Sequence, residues 1–317
     1  MNEILDIQLI SAFISEKVNE IRWISTGHIN KSFLVRGDDT YILQEINEHL
    51  YRDFQDILTF NYLSYRDACC NFNEGSSDPF EYPNWLTDKE GSFFHRDVFG
   101  NLYRMYRYIP SDEINDEKAD RYEIGRGLGK LHSILRTCKD IKNIKTTAHL
   151  HDLSHHYREY LDQNDNETER IGEIDTRIKD DIDKYLEMTV PGGSIIHGDA
   201  KIGNMIIRNG KVTGFIDLDT IMTGSVFDDI ADCVRSCCLN DEGNIENTEF
   251  MDLIRGYEET SGTVFTLSQK DLIRKNIEKN CFLLGLRYYT DYLSGSGYFS
   301  EKYPGQTLKK ARKLLLS

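Results

Sequence analysis

Proline is scarce in this 317-residue chain, five in all, so element boundaries have to be found from glycine and from hydrophobic period. No run of 18 apolar residues occurs, which argues against a helical membrane span. The opening Met-Asn-Glu-Ile-Leu-Asp carries acids where a secretory leader would carry bases, so the expected location is the cytoplasm. Lys and Arg number 38 against 53 Asp and Glu, a net charge of −15. Nucleic acid is therefore a poor partner, since that binding is driven by clustered cations. An anionic small ligand would need local help from a metal ion, backbone amides or a lysine. The seven cysteines, an odd number with irregular spacing, make no disulfide framework and suit a reducing compartment. Cys233, Cys237 and Cys238 fall on one helix without a nearby His and read as buried packing. Internal repeats and low-complexity tracts are also missing.

What the chain does have is a dense polar stretch at 195–219. An apolar approach, Ile195-Ile196, ends in a cluster holding His197, Asp199, Lys201 and Asn204. Asn209-Gly210 between two short apolar runs signals a two-residue β-hairpin turn. That turn would set Arg208 opposite Lys211 and Asn204 opposite Phe215, with Asp217 as the diagonal neighbour of Asn204 on the same face. Diagonal pairs lie roughly 7–8 Å apart, with side chains closer, a spacing at which a carboxylate and an amide oxygen can share one hard cation. Asp199 would hang in the loop above. The stretch thus reads as a metal platform beside a free carboxylate.

Along the chain, residues 5–18 carry helical periodicity, and the period then changes to two. Strands are expected at 22–25, 32–36, 41–44, 93–94 and 102–109, with one helix at 53–70 and a loop over 71–84. The segment Thr26-Gly27-His28-Ile29-Asn30 between the first two strands could fold its backbone over phosphates. After Pro110-Ser111-Asp112 the strands nearly vanish. Ile124, Leu128, Leu131 and Leu135 mark a helix face whose Gly125-x-Gly127-x-Gly129 lacks the preceding strand of a phosphate loop and reads as close helix packing. His149, His151, His155 and His156 cluster, and the 151/155 pair has the helical spacing of metal ligands, though without a partner in a known pattern. Ile171, Ile174, Ile178, Ile182 and Leu186 form a core stripe. Further helices are expected near 228–240, 247–260 and 269–293, with a basic one at the end.

His197-x-Asp199-x-x-x-x-Asn204 resembles the catalytic loop of protein kinases and of small-molecule kinases of the same fold, and Ile216-Asp217 stands where those enzymes carry a second metal-binding Asp. Gly224 with Asp229-Ile230-Ala231 is similar to a segment of aminoglycoside phosphotransferases and choline kinase-like enzymes. The resemblance implies an α+β bilobal protein-kinase-like fold: a small antiparallel-sheet N-lobe (1–109) that binds nucleotide and a larger, mostly helical C-lobe (110–317). It implies ATP and Mg²⁺ as cofactors, Asp199 as base, Lys201 on the transferring phosphate, and Asn204 and Asp217 on the metal. Gly27, Asn30, Ser32 and Gln44 would face the nucleotide, and His197 and Asp229 would hold the loop. Asp219 would either touch the metal or, the favoured reading, support the site from behind. Gln44 departs from the kinase pattern, which has a Lys at this position of the third strand.

Gly27-His28-Ile29-Asn30, Tyr41-Ile42-Leu43-Gln44, Asp217-Leu218-Asp219-Thr220 and Leu286-Arg287 through Tyr298-Phe299 narrow the resemblance to N-acetylhexosamine 1-kinases, in which Gln at that strand position is usual. The acceptor would then be a small molecule, a sugar, contacted by His28, Arg287 and Tyr298. Ordinary turn packing for His28 and Tyr298, and an ion pair of Arg287 with Asp291 one turn along a helix, are the structural alternatives. Ser296 and Gly297 stand where those kinases carry an acidic residue, which leaves the sugar open. On the same fold the acceptor could be an aminoglycoside, choline or another amino alcohol, or the chain could bind nucleotide without turnover.

Overall fold

The computed structural model describes residues 7–24, 30–47, 51, 53–112, 120–144, 149–163, 169–299 and 301–316. Gly27 and His28 lie outside the described residues.

The N-terminal part is an antiparallel sheet built on period-2 alternation. Helix α1 (Ile7–Phe13) precedes strands β1 (Glu20–Ile24), β2 (Lys31–Arg36) and β3 (Thr40–Glu45). Helix α2 (Gln55–Asn73) follows, then β4 (Trp85–Leu86), β5 (His95–Arg96) and β6 (Leu102–Arg107). The sheet order is β1-β2-β3-β6-β4, with β5 also on β6. Odd-numbered Phe33, Val35, Tyr41, Leu43, Tyr103 and Met105 pack outward against Leu9 and Ile10 of α1. Even-numbered Leu34, Ile42, Leu102 and Tyr106 face the main core. One face thus carries the helix and the other turns towards the rest of the molecule. The opening helix is shorter than its periodicity suggested, and the strand expected at Phe93-Phe94 forms two residues later.

The C-terminal part is mostly helical. It comprises α3 (Arg121–Leu135), α4 (Leu153–Leu161), α5 (Gly172–Leu186), α6 (Val226–Cys238), α7 (Asn247–Ser261), α8 (Leu267–Ser294) and α9 (Gln306–Leu315). Helix α8 starts with a capping box between Thr266 and Gln269 and ends at Gly295, φ 62°. The glycines of α3 make the crossing with α7 possible. A Cβ on Gly125 would sit 1.9 Å from the Leu253 carbonyl oxygen, and one on Gly256 would sit 2.0 Å from that of Tyr122. Close packing is therefore their role, as expected. Cys233, Cys237 and Cys238 are buried apolar packing. A second core joins α4, α5, α8 and α9 through Ile174, Ile178, Ile182, Phe282, Leu286 and Leu315.

Two short strand pairings carry the polar stretch between the helices. Strand β7 (Ser194–Ile196) pairs with β10 (Met222–Gly224), and β8 (Met205–Arg208) pairs with β9 (Lys211–Phe215). The hairpin turn is where Asn209-Gly210 put it, with both residues at positive φ and Arg208 opposite Lys211. Its register is not as expected. A bulge at Thr213 skips one residue, so Met205 rather than Asn204 faces Phe215, and the Ile216 N–H bonds the Asn204 carbonyl at 2.9 Å. The 74–84 segment docks at the bulge: its Glu81 takes Arg208 in a two-pronged ion pair and accepts from the Thr213 hydroxyl. Glu81 also lies against Gly214, where a Cβ would be 2.2 Å from its carbonyl oxygen.

Candidate active site

The loop between β7 and β8 is tied down from below by a buried carboxylate. Asp229, in the first turn of α6, accepts the backbone N–H groups of His197 at 2.7 Å and Gly198 at 2.9 Å. His132 of α3, itself bonded to the Tyr257 hydroxyl, reaches the same carboxylate at 2.9 Å. Burial would raise the Asp229 pKa, but the His132 hydrogen bond and the neighbouring charges outweigh it and hold the carboxyl below its ordinary range. His197 is fully buried. Its Nε2 lies 3.0 Å from the Ile216 carbonyl and its Nδ1 faces the Asp199 N–H at 3.3 Å, the pattern of a neutral ring protonated at Nε2. Occupied at both nitrogens, His197 holds the loop shape.

That anchoring presents Asp199, Lys201 and Asn204 to one open cleft of about 1350 Å³, room for more than one small ligand. Asp199 Oδ2 takes Lys201 Nζ at 2.5 Å and Asn204 Nδ2 at 2.9 Å. Burial opposes ionisation of Asp199, and the Lys201 charge and hydrogen bond overcome it, so the carboxyl stays below the ordinary range. Oδ1 has no hydrogen-bond partner among the described residues. The Asn204 amide nitrogen also donates to the Asp199 carbonyl at 2.8 Å, which leaves its oxygen as the free end.

Asp217 lines the same cleft, although the bulge removes the simple alternation that would have put it beside Asn204. A left-handed backbone, φ 61° and ψ 54°, turns the chain out of the strand there. Burial, together with Asp219 and Asp199 nearby, pushes the Asp217 carboxyl up to about 6. A raised carboxyl without a hydrogen-bond partner among the described residues, in the same cleft as a free amide oxygen, is a donor set suited to a hard divalent cation.

The sheet supplies the opposite wall, and here sequence reasoning missed a residue. Ser32 faces Gln44 and Gln44 faces Arg104 in register, a row across β2, β3 and β6. Arg104, 2% exposed, donates to Gln44 Oε1 at 2.9 and 2.7 Å. It also grips both oxygens of Asp219, at 2.5 and 2.9 Å, and stacks on Trp85. Gln44 Nε2 donates to Ser32 Oγ at 3.1 Å. Asn30 donates to Asp219 and accepts from the Asn47 N–H, so its amide is occupied at both ends. Period-2 alternation in Tyr103-Arg104-Met105 would have flagged a charge on an inward position of a central strand.

Arg287, Tyr288, Tyr298, Phe299 and Lys310 line the far side. Asp291 is not the partner of Arg287, because its carboxylate is taken by Ser296 Oγ and by the N–H groups of Tyr298 and Phe299. Arg287 instead lies over the rings of Tyr298 and Phe299, and Lys310 over Tyr288. Neither cation has a carboxylate within ion-pair distance among the described residues. Burial and nearby Lys302 hold the Lys310 ammonium below its usual range. His151 and His155 share a helical spacing but go to different partners, His151 to the Gly198 carbonyl and His155 to Glu159.

A model of the phosphotransferase enzyme family matches residues 83–262, more than half of the chain. The chain belongs to the phosphotransferase enzyme family. An amicoumacin kinase, solved in complex with AMP-PNP, Ca²⁺ and Ami, has TM-score 0.67 at 11% identity, covering 99% of this chain and 92% of the other. A microcompartment-associated aminopropanol kinase has TM-score 0.66 at 14% identity, covering 97% and 92%. A spectinomycin phosphotransferase with ADP and spectinomycin has TM-score 0.64 at 13% identity, covering 97% and 92%. At these identities the likeness concerns the fold, a small antiparallel-sheet lobe on a larger helical one. No helix of the described residues is long and apolar enough to cross a membrane.

Proposed function

We propose that this phosphotransferase is a cytoplasmic kinase that moves the γ-phosphate of ATP to a sugar hydroxyl, the anomeric hydroxyl of an N-acetylhexosamine in its most specific form. The carrying observation is the division of labour at Asp199: one oxygen is pinned by Lys201 and Asn204, and the other is open to the cleft. An acceptor hydroxyl bonded to Oδ1 would pass its proton there as the new P–O bond forms. The Asn204 oxygen and Asp217 would hold Mg²⁺, which neutralises phosphate charge when bound. Lys201, now on Asp199, would move its ammonium to the transferred phosphate. Residues 108–112 would connect the two lobes, dividing the chain near residue 110.

The acceptor wall supports a neutral polyol over a polycation. The carboxylates lining the cleft there are already engaged, Asp232 with Arg235, Asp241 with Lys313 and Glu249 with Arg121. Arg287 and Lys310 are the cations left over for hydroxyl or carbonyl oxygens, and Tyr298 offers a ring face. An aminoglycoside or choline would meet like charge. The anomeric position rests on the resemblance of 27–47, 216–222 and 286–299 to N-acetylhexosamine 1-kinases.

ADP release measured across hexoses, N-acetylhexosamines, aminoglycosides and choline tests the proposal. Turnover is expected with an N-acetylhexosamine, and Asp199→Asn is expected to lower kcat by about 10²–10⁴. Preferred turnover of a cationic acceptor would overturn the acceptor assignment, and an undamaged Asp199→Asn would overturn the mechanism.

A further inference from the structure

We propose that Arg104 is a positioning residue for the nucleotide: it locks the Gln44 side chain so that its NH₂ group, not its oxygen, is presented to the phosphates. An amide has an acceptor end and a donor end of nearly equal shape, and only the donor end can bind phosphate oxygen. Free to rotate, Gln44 would offer either. Arg104 removes the choice, because two guanidinium N–H groups occupy Oε1 at 2.9 and 2.7 Å. The remaining end, Nε2, donates one N–H to Ser32 Oγ at 3.1 Å and keeps a second, and both Gln44 and Ser32 line the cleft.

Arg104 is in turn fixed on every side. Asp219 holds it two-pronged, Trp85 lies under its plane at 4.5 Å from the ring centroid, and direct pairing places it opposite Gln44. The arrangement answers the missing strand lysine. A cation is present at this level of the sheet, but one strand over, fully buried and already neutralised by Asp219. It acts through the amide in front of it, polarising the N–H bonds of Gln44 along a hydrogen-bond chain. A lysine at position 44 would stand against the guanidinium and lose by repulsion what it gained in charge.

The inference rests on nucleotide occupying the cleft and is independent of the acceptor. Calorimetric titration of the whole chain with Mg·ADP and, separately, adenosine tests it. Wild type is expected to bind both; absence of Mg·ADP binding to wild type would overturn the kinase reading itself. Gln44→Glu keeps the Arg104 contact while replacing the donor by an anion, and is expected to weaken Mg·ADP at least tenfold with adenosine affinity unchanged. Arg104→Lys keeps a cation beside Asp219 but loses the fork on Gln44, and is expected to weaken Mg·ADP about fivefold with the same adenosine affinity. In steady-state assays both variants would raise the KM for ATP and leave the acceptor KM in place. Wild-type Mg·ADP affinity in either variant overturns the proposal. So does an equal loss for adenosine and Mg·ADP, which would make Arg104 a structural support of the sheet.

Discussion

At the scale of single residues the site combines occupied and unoccupied polar atoms. Asp229 and His197 have their hydrogen-bonding groups engaged within the fold, whereas Asp199 Oδ1, the Asn204 oxygen and Asp217 have no hydrogen-bond partner among the described residues and belong to side chains that line the cleft. Three carboxylates, at 199, 217 and 219, sit close enough to influence one another, and this opposes ionisation of Asp217. Asp217→Asn is therefore expected to lower Mg²⁺ affinity at least tenfold while leaving the metal-free melting temperature equal or higher, because it removes a repulsive charge. Metal titration followed by differential scanning calorimetry would show both effects. His197, Asp199, Asn204 and Asp217 were legible because their spacing is local. Arg104 was not, because its meaning depends on which residue lies opposite it on the next strand.

At the scale of elements, two contacts make quantitative claims. Helices α3 and α7 cross with backbone against backbone, so Gly125→Ala has to separate them and is expected to cost about 2–3 kcal/mol. Urea unfolding would read this as a lower midpoint at unchanged slope. On α4, His156 is 13% exposed, and its Nε2 has no partner among the described residues. Burial and the Arg287 charge from α8, against the pull of Glu159, lower its pKa to about 4. The unfolded histidine titrates near 6.5. As pH falls, the unfolded chain takes up this proton first, so the contribution is complete above about 6.5 and disappears progressively towards 4. His156→Leu is accordingly expected to reduce the loss of stability between pH 7 and pH 5 by about 2 kcal/mol. Unfolding curves of both proteins at the two values would check it. The glycines of α3 were readable as packing residues from sequence, although their partners, α7 for Gly125 and Gly129 and Val212 of β9 for Gly127, lie far along the chain.

For the whole molecule, the sheet and the helical part meet through Asp219. It takes Arg104 from β6 and Asn30 from the start of β2. Removing one partner leaves a buried charge alone, so Asp219→Asn is expected to cost about 3–5 kcal/mol, and Arg104→Met together with Asp219→Asn less than either single change. A double-mutant cycle in urea would test the coupling. The two parts also share one apolar core, which runs from Leu34 and Ile42 on the sheet through Leu58 and Tyr62 of α2 to Leu128 of α3 and Phe215 of β9.

By itself the sequence determined the element types, the tight turn at Asn209-Gly210 and the catalytic-loop pattern. These follow from hydrophobic period, turn chemistry and spacings of under ten residues, all of which act locally along the chain. Tertiary structure alone decided the bulge at Thr213, where Glu81 from a distant segment docks. It also decided the left-handed turn that brings Asp217 into the cleft, the buried guanidinium behind Gln44, and the release of Arg287 from Asp291. Each depends on a partner dozens to more than a hundred residues away, or on a loop folding back upon itself, and the pattern of a single segment cannot encode such a choice.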